Sequence, residues 1–475
     1  MKFICNRENI SADVAEIIRA FDPRALETDG GGEVRLTFTR AENSAEILLE
    51  YYESENTPKY TFEKRVNLEH FSCPEEEKRM VKREAKVMLY DLMARIYNTV
   101  LPYGSLTGVR PTKLYREVSG AGGDAYKYFT EYLRVRRDKA ELVKSVCAAQ
   151  EGLISGDKRD IDLFVNIPFC TTRCSYCSFI SAEIGRVKKF IPGYVELLVK
   201  EIEDARRLIS EYGYFLRAVY VGGGTPTSLE DKDFLRVMGA LNGVGTEFTV
   251  EAGRPDTITY DKLKIMDDMG VTRISVNPQS LNDKTIALIG RRHTAADFYA
   301  AYDMARKFSF DVNCDLIAGL PGEEAEDFAR TADGIFALRP ENVTVHTLAL
   351  KKGSGLKLAG YDNRASDVGA MVDYARSLAG GNGYLPYYMY RQKYISGNLE
   401  NVGYCLAGKQ CVYNIDIMEE CASIIACGAG GISKLYVPEE NRLERLADPK
   451  GIDVYLQRGD SLAEAKRAFF PCLKG

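Results

Sequence analysis

From Asp160 to about Gly360 the chain repeats one pattern, a short apolar run rich in β-branched residues followed by an amphipathic helical stretch. Six runs read as strands: DLFVNIP, AVYVGGG, EFTVEAG, TRISVNP, DVNCDLIAG and NVTVHTLA. Stretches such as IPGYVELLVKEIEDARRLI and AADFYAAYDMARKF separate them, with apolar residues at helical spacing. This alternation leaves few folds open. It predicts a parallel α/β sheet with right-handed crossovers. Six units fit a partial (β/α)6 barrel better than the closed eight-unit form. In such sheets ligands sit beyond the carboxyl ends of the strands, so the chemistry is sought along that rim.

The flanks break the pattern. Residues 1–155 read as an α+β domain, with MKFICN as a strand and Ser11 capping a helix over SADVAEIIRAF. EVRLTFTR, AEILLEYY and KYTFEKRV alternate as strands, and PEEEKRMVKREAKVMLYDLMARIYN reads as a long helix. No helix follows Gly30-Gly31-Gly32, so that run is a turn and not a phosphate loop. A polar stretch at Ser155–Lys158 marks the linker to the core, residues 156–360. Residues 361–475 form a mixed α/β C-terminal domain expected to cover the substrate.

With 63 Lys+Arg against 68 Asp+Glu, the chain has no basic field that would call for nucleic acid or an anionic membrane. It opens without a signal-type apolar core, and no apolar run approaches the roughly 20 residues of a membrane span. A cytoplasmic location is expected. Three histidines are too few for a His-rich zinc site. Of 12 cysteines, nine are scattered and read singly as small buried hydrophobes.

The other three form Cys170-Thr-Thr-Arg-Cys174-Ser-Tyr-Cys177, a loop directly after the first parallel strand. A 4Fe-4S cluster normally takes four thiolates, so three leave one iron open to a ligand. Zinc would want a fourth Cys or His nearby. The loop resembles the signature of the radical S-adenosylmethionine (SAM) superfamily. That resemblance implies a cluster that cleaves SAM to methionine and a 5′-deoxyadenosyl radical. Gly222-Gly223-Gly224-Thr225-Pro226, at the end of the second strand, suits close backbone approach to the amino-acid end of SAM. Glu251, Gln279, Arg291 and Asp315 fall at or near later strand ends and are candidate SAM contacts. His346, in the sixth strand, reads equally as a core histidine.

The motifs NIPFC-x3-C-x-YC-x-F, YVGGGTPTSL, EAGRP, RISVNPQS, IGRRHT and DLIAGLPGE together resemble the oxygen-independent coproporphyrinogen III dehydrogenase (oxidase) family. LTGVRPTK, MYRQKYISGNLENVGY and YNIDIMEE resemble its dehydrogenase-like branch with an extended N-terminal domain. The resemblance implies Cys170, Cys174 and Cys177 as cluster ligands and Tyr176 beside the SAM adenine. It implies Gly223, Gly224, Thr225, Glu251, Gln279, Arg291 and Asp315 as SAM contacts. The implied reaction abstracts a propionate β-hydrogen, then loses CO2 and one electron to give a vinyl group. Two rounds turn coproporphyrinogen III into protoporphyrinogen IX. Flavodoxin or ferredoxin is the implied kind of electron donor.

This chain carries Phe164-Val165-Asn166 where the dehydrogenases carry Tyr-x-His. Phe179 replaces their extra cysteine, as it does in the related haem chaperones. These departures bear on the substrate step and on a second SAM site. They keep open a haem-trafficking protein, or another radical reaction on a tetrapyrrole such as ring opening or methyl transfer. A tetracarboxylate substrate wants cations, and the candidates are Arg110, Lys113, Arg292, Lys351, Arg391 and Lys393. Arg391 leads, because its planar fork can grip a carboxylate bidentately and tyrosines surround it.

Overall fold

The computed structural model describes the chain except residues 28, 29, 55, 70, 72, 180, 181, 352, 362–366, 393, 394, 441 and 475. Lys393 therefore lies outside the described residues, as do His70 and Tyr394. The chain forms two compact units, Met1–Lys144 and Ser145–Gly475.

In the first unit, β1 (Lys2–Cys5), β2 (Glu33–Arg40), β3 (Ser44–Tyr52) and β4 (Tyr60–Asn67) lie in that order in one sheet. β1 and β2 are parallel and the remaining pairs antiparallel. The alternation of β2 and β3 gives each a buried face, Val34, Leu36 and Phe38 on one, Ala45, Ile47 and Leu49 on the other. Helices Glu8–Phe21 and Pro74–Tyr97 supply Ile10, Val14, Ile17, Ala85, Leu89 and Leu92 to the same core. Ser11 is not the helix cap. The helix starts at Glu8 with Arg7 at the N-cap, and the Ser11 amide already donates to the Arg7 carbonyl inside the first turn.

The second unit is built on an 11-stranded sheet. Its strands are β5 (Asp160–Ile167), β8 (Phe215–Gly223), β9 (Glu247–Val250), β10 (Arg273–Ser275), β11 (Asp311–Ala318), β12 (Asn342–Thr347), β13 (Leu385–Tyr390), β14 (Asn401–Cys405), β15 (Ser423–Cys427), β16 (Ile432–Val437) and β17 (Arg442–Ala447). Two-residue strands β6 (Phe169–Cys170) and β7 (Ala182–Glu183) pair separately. The order is β13-β14-β12-β11-β10-β9-β8-β5-β15-β16-β17. The run from β12 to β5 is the expected six-stranded parallel core, a partial barrel whose end strands β13 and β17 stay unpaired with each other among the described residues. Helices follow the strands as the pattern predicts, Ile191–Tyr212 after β5 and Ala295–Ala305 before β11.

The three-domain division at 155 and 360 does not match the strand pairing. β14 adds antiparallel to β12, and β15 adds parallel to β5. Residues after 361 thus extend the core sheet at both ends, because main-chain pairing on an open sheet edge is available to any later segment. Between β14 and β15, Cys411, Tyr413 and Ile415 pack with Phe164, Ala218 and Tyr220, and the Tyr413 and Tyr220 rings stack at 4.3 Å.

The amino-terminal strand ends are closed by polar pairing. Arg273, first residue of β10, donates to Glu247 at 3.0 Å and Asn342 at 3.1 Å, the first residues of β9 and β12. The carboxyl ends are left for a ligand. Among the described residues no helix is long and apolar enough to cross a membrane.

Candidate functional site

β5 and β8 are neighbours, so the loops leaving their carboxyl ends meet. The Gly224 amide donates to the Ile167 carbonyl at 2.8 Å and the Thr225 amide to the Phe169 carbonyl at 2.7 Å. The Thr225 hydroxyl lies 3.5 Å from Cys170 Sγ. Gly223 has φ +102°, in the left-handed region, and a Cβ there would overlap Asn166 Oδ1. A Cβ on Gly224 would meet the Phe169 backbone. Both glycines are thus required first by chain against chain, and the bare backbone they leave also lines the cavity.

That cavity, of about 360 Å³, is lined by Cys170, Cys174, Tyr176, Cys177, Gly223, Gly224, Thr225, Glu251, Gln279, Arg291 and Asp315. Every candidate cluster and SAM residue is therefore brought to one site. Tyr176 packs among Ile289, Ile317, Leu348 and Leu356. Glu251 accepts from Tyr220 at 2.6 Å, and burial pushes its carboxyl up to about 7 despite that bond. Asp315 accepts from Asn277 at 2.7 Å and Asn313 at 2.8 Å, with His346 Nε2 at 3.6 Å. Burial alone would raise the Asp315 carboxyl, but His346 and these polar neighbours hold it below the usual range. His346 lines the cavity, with Nδ1 3.3 Å from the Tyr390 hydroxyl.

Two cavity-lining polar atoms are buried without hydrogen-bond partners, Gln279 Oε1 and Arg291 Nε. Gln279 also holds φ +66°, uncommon for a residue with a side chain. One acceptor and one donor left open in the same wall suit a ligand bearing both amino and carboxylate groups. Among the described residues no three His, Cys, Asp or Glu side chains gather closely enough to hold a single metal ion.

A family model described as the radical SAM superfamily matches residues 165–335. The Bacillus subtilis oxygen-independent coproporphyrinogen-III oxidase-like protein HemZ is 34% identical over 419 residues, 82% of each chain. The chain belongs to this oxygen-independent coproporphyrinogen III oxidase-like family of radical SAM proteins. A 4Fe-4S cluster and SAM are the cofactors that go with the family. The B. subtilis heme chaperone HemW is 31% identical over 196 residues, 40% of this chain and 50% of that one. In fold, the chain matches the radical SAM coproporphyrinogen III oxidase HemN of Escherichia coli with TM-score 0.50 at 20% identity, over 67% of this chain and 73% of that one.

Among the described residues, one of the cations expected of the family's substrate lines the cavity. Arg391 is only 4% exposed, its guanidinium donates to the Asn398 carbonyl and side chain, and its neighbour Gln392 lines the cavity instead. Arg292 is exposed and is not among the lining residues. Arg110 and Lys113 lie in the N-terminal unit. Lys351 does line the cavity, 6.0 Å over the Phe179 ring.

Among the lining residues that sequence reasoning missed is Arg254. It lies in EAGRP, just after the Glu251 singled out in that motif. The Arg254-Pro255-Asp256 run, two charges around a proline at a strand end, was the available signal.

Proposed function

We propose that the protein converts propionate side chains of coproporphyrinogen III to vinyl groups, giving protoporphyrinogen IX. The observation that carries this reading is one cavity in which three thiols, two unpartnered polar atoms and an open mouth adjoin. Its volume is near the low end of the roughly 300–1,000 Å³ usual for ligand sites, so a SAM-sized molecule fills it. The macrocycle then sits at the mouth, where Phe179 is 69% exposed and Arg173 and Lys351 stand beside it. An exposed ring suits the flat face and the cations suit its carboxylates.

Bound there, the cluster and SAM supply one-electron cleavage and a 5′-deoxyadenosyl radical. Cys170, Cys174 and Cys177 hold the cluster. Arg291 Nε donates to the SAM carboxylate and Gln279 Oε1 accepts from its amino group. Glu251 and Asp315 accept from hydroxyls, and Tyr176 packs beside the adenine. Each propionate would give its hydrogen atom to that radical, lose CO2 and pass one electron to an external one-electron acceptor. A one-electron donor such as flavodoxin or ferredoxin would supply the electron for that cleavage, and the cytoplasm is the setting in which such donors occur.

A second reading, a haem-handling protein on the same scaffold, is favoured by the bare Phe179 ring at the mouth and by similarity to heme chaperones. An anaerobic assay with coproporphyrinogen III, SAM and a strong reductant separates them. Vinyl products are expected from the wild type and none from Cys174→Ala, whereas Cys411→Ala, buried against Glu247, keeps its iron and its product. Haem co-purifying with no consumption of coproporphyrinogen would select the second reading.

A further inference from the structure

Arg254 leaves the end of β9, yet its side chain is spent on the cysteine loop that leaves β5. It is 3% exposed. Nε and Nη2 form a fork on Asp256 at 3.0 and 3.2 Å. Nη1 donates to the Thr172 hydroxyl at 2.9 Å and reaches the Thr172 carbonyl at 3.4 Å. The same nitrogen lies 3.8 Å from Cys174 Sγ, within range of an N–H···S bond. Asp256 completes the grip, because its other contact is the Thr171 hydroxyl at 3.2 Å. Burial alone would raise the Asp256 carboxyl, but the Arg254 fork holds it below the usual range. The fork and the two threonine contacts hold the guanidinium in one place.

A buried cation donating to a cluster thiolate has a physical consequence. Reduction adds negative charge to the cluster, and a fixed positive donor at one sulfur stabilises the reduced form more than the oxidised one. Hydrogen bonds to the sulfurs and local charge are among the main determinants of such potentials. We propose that Arg254 is a positioning residue of the cluster: it fixes the Thr171–Cys174 turn and raises the cluster's reduction potential by donating to Cys174 Sγ. This rests on the three thiols holding a cluster, and it is independent of which substrate is used.

The test uses full-length protein, reconstituted anaerobically with iron and sulfide, and a redox titration followed by absorbance and electron paramagnetic resonance. Arg254→Gln should retain iron and show a potential more negative than wild type. Arg254→Lys, which keeps the charge and loses the fork, should fall between them. Asp256→Asn leaves the cation but loosens the turn, so iron loss to a chelator should quicken on the order of tenfold. A brace with no electronic role would lower the melting temperature and leave the potential unmoved. An unchanged potential in iron-loaded Arg254→Gln overturns the proposal; if that variant cannot hold iron, an unchanged potential in Arg254→Lys does so. Failure of the wild type to take up iron on the three thiols overturns the cluster reading and this proposal together.

Discussion

Gly223→Ala tests the rim at its tightest point. The residue has φ +102°, and its new methyl would overlap Asn166 Oδ1. Two costs follow. The backbone conformation costs a side chain about 1–3 kcal/mol. Forcing the methyl against Asn166 costs a further ~1–3 kcal/mol, because Asn166 is held in turn by its bond to the Ala429 carbonyl. The sum is about 2–6 kcal/mol. At about 2.1 cal/mol/K of unfolding entropy per residue, a unit of roughly 330 residues such as Ser145–Gly475 loses about 1.4 °C per kcal/mol, so Tm should fall by about 3–9 °C. A double-mutant cycle separates the parts. Asn166→Gly removes the obstruction, so Gly223→Ala in that background should cost less by the steric share, with a coupling of about 1–3 kcal/mol. The assay is thermal and denaturant unfolding of the protein before cluster reconstitution, so cofactor loss does not enter. A coupling below about 0.5 kcal/mol would refute the contact, and a Gly223→Ala protein as stable as wild type would refute the whole account of the turn.

Glu251 gives a pH prediction. Its folded-state value, about 7, lies above the ordinary glutamate value of 4.5, so its protonation stabilises the fold fully below about 4.5 and that contribution is lost as pH rises through about 7. Stability of wild type relative to Glu251→Gln should decline across that window in denaturant titrations, and parallel curves would dismiss the shift. A ligand hydroxyl on Glu251 selects the carboxylate, so wild-type affinity for SAM should rise from about pH 6 to about pH 8, a slope that Glu251→Gln lacks in calorimetry. Lys466→Met should destabilise the second unit by about 3–5 kcal/mol, because it leaves Glu201 and Asp448, both bonded to Lys466 Nζ, buried without their cation. A stability within about 1 kcal/mol of wild type in denaturant unfolding would refute that cost.

What was legible in the sequence is what periodicity and local spacing encode. Strand alternation placed the ends of β5 and β8 on one rim, and that alone brings Cys170 within 3.5 Å of Thr225 although 55 residues separate them. What was not legible depended on which edge or partner a side chain finds. Nothing in MYRQKYISGNLENVGY distinguishes an Arg391 facing a ligand from one whose Nη2 is taken by Asn398 seven residues later. A turn that closes on itself leaves the same composition as one that opens to solvent. The C-terminal strands carry the same ambiguity at larger scale. A strand's pattern shows that it pairs, not to which edge it adds, so β14 and β15 could be expected as strands but not on opposite sides of one core. The glycine turn is the instructive case between these. Its position was read correctly and its cause only in part: Gly223 and Gly224 are bare because Asn166 and the Phe169 backbone press on them. The same close packing carries the turn against the cysteine loop. A substitution at Asn166 that relieves the chain–chain contact should therefore alter cofactor affinity without touching the cofactor.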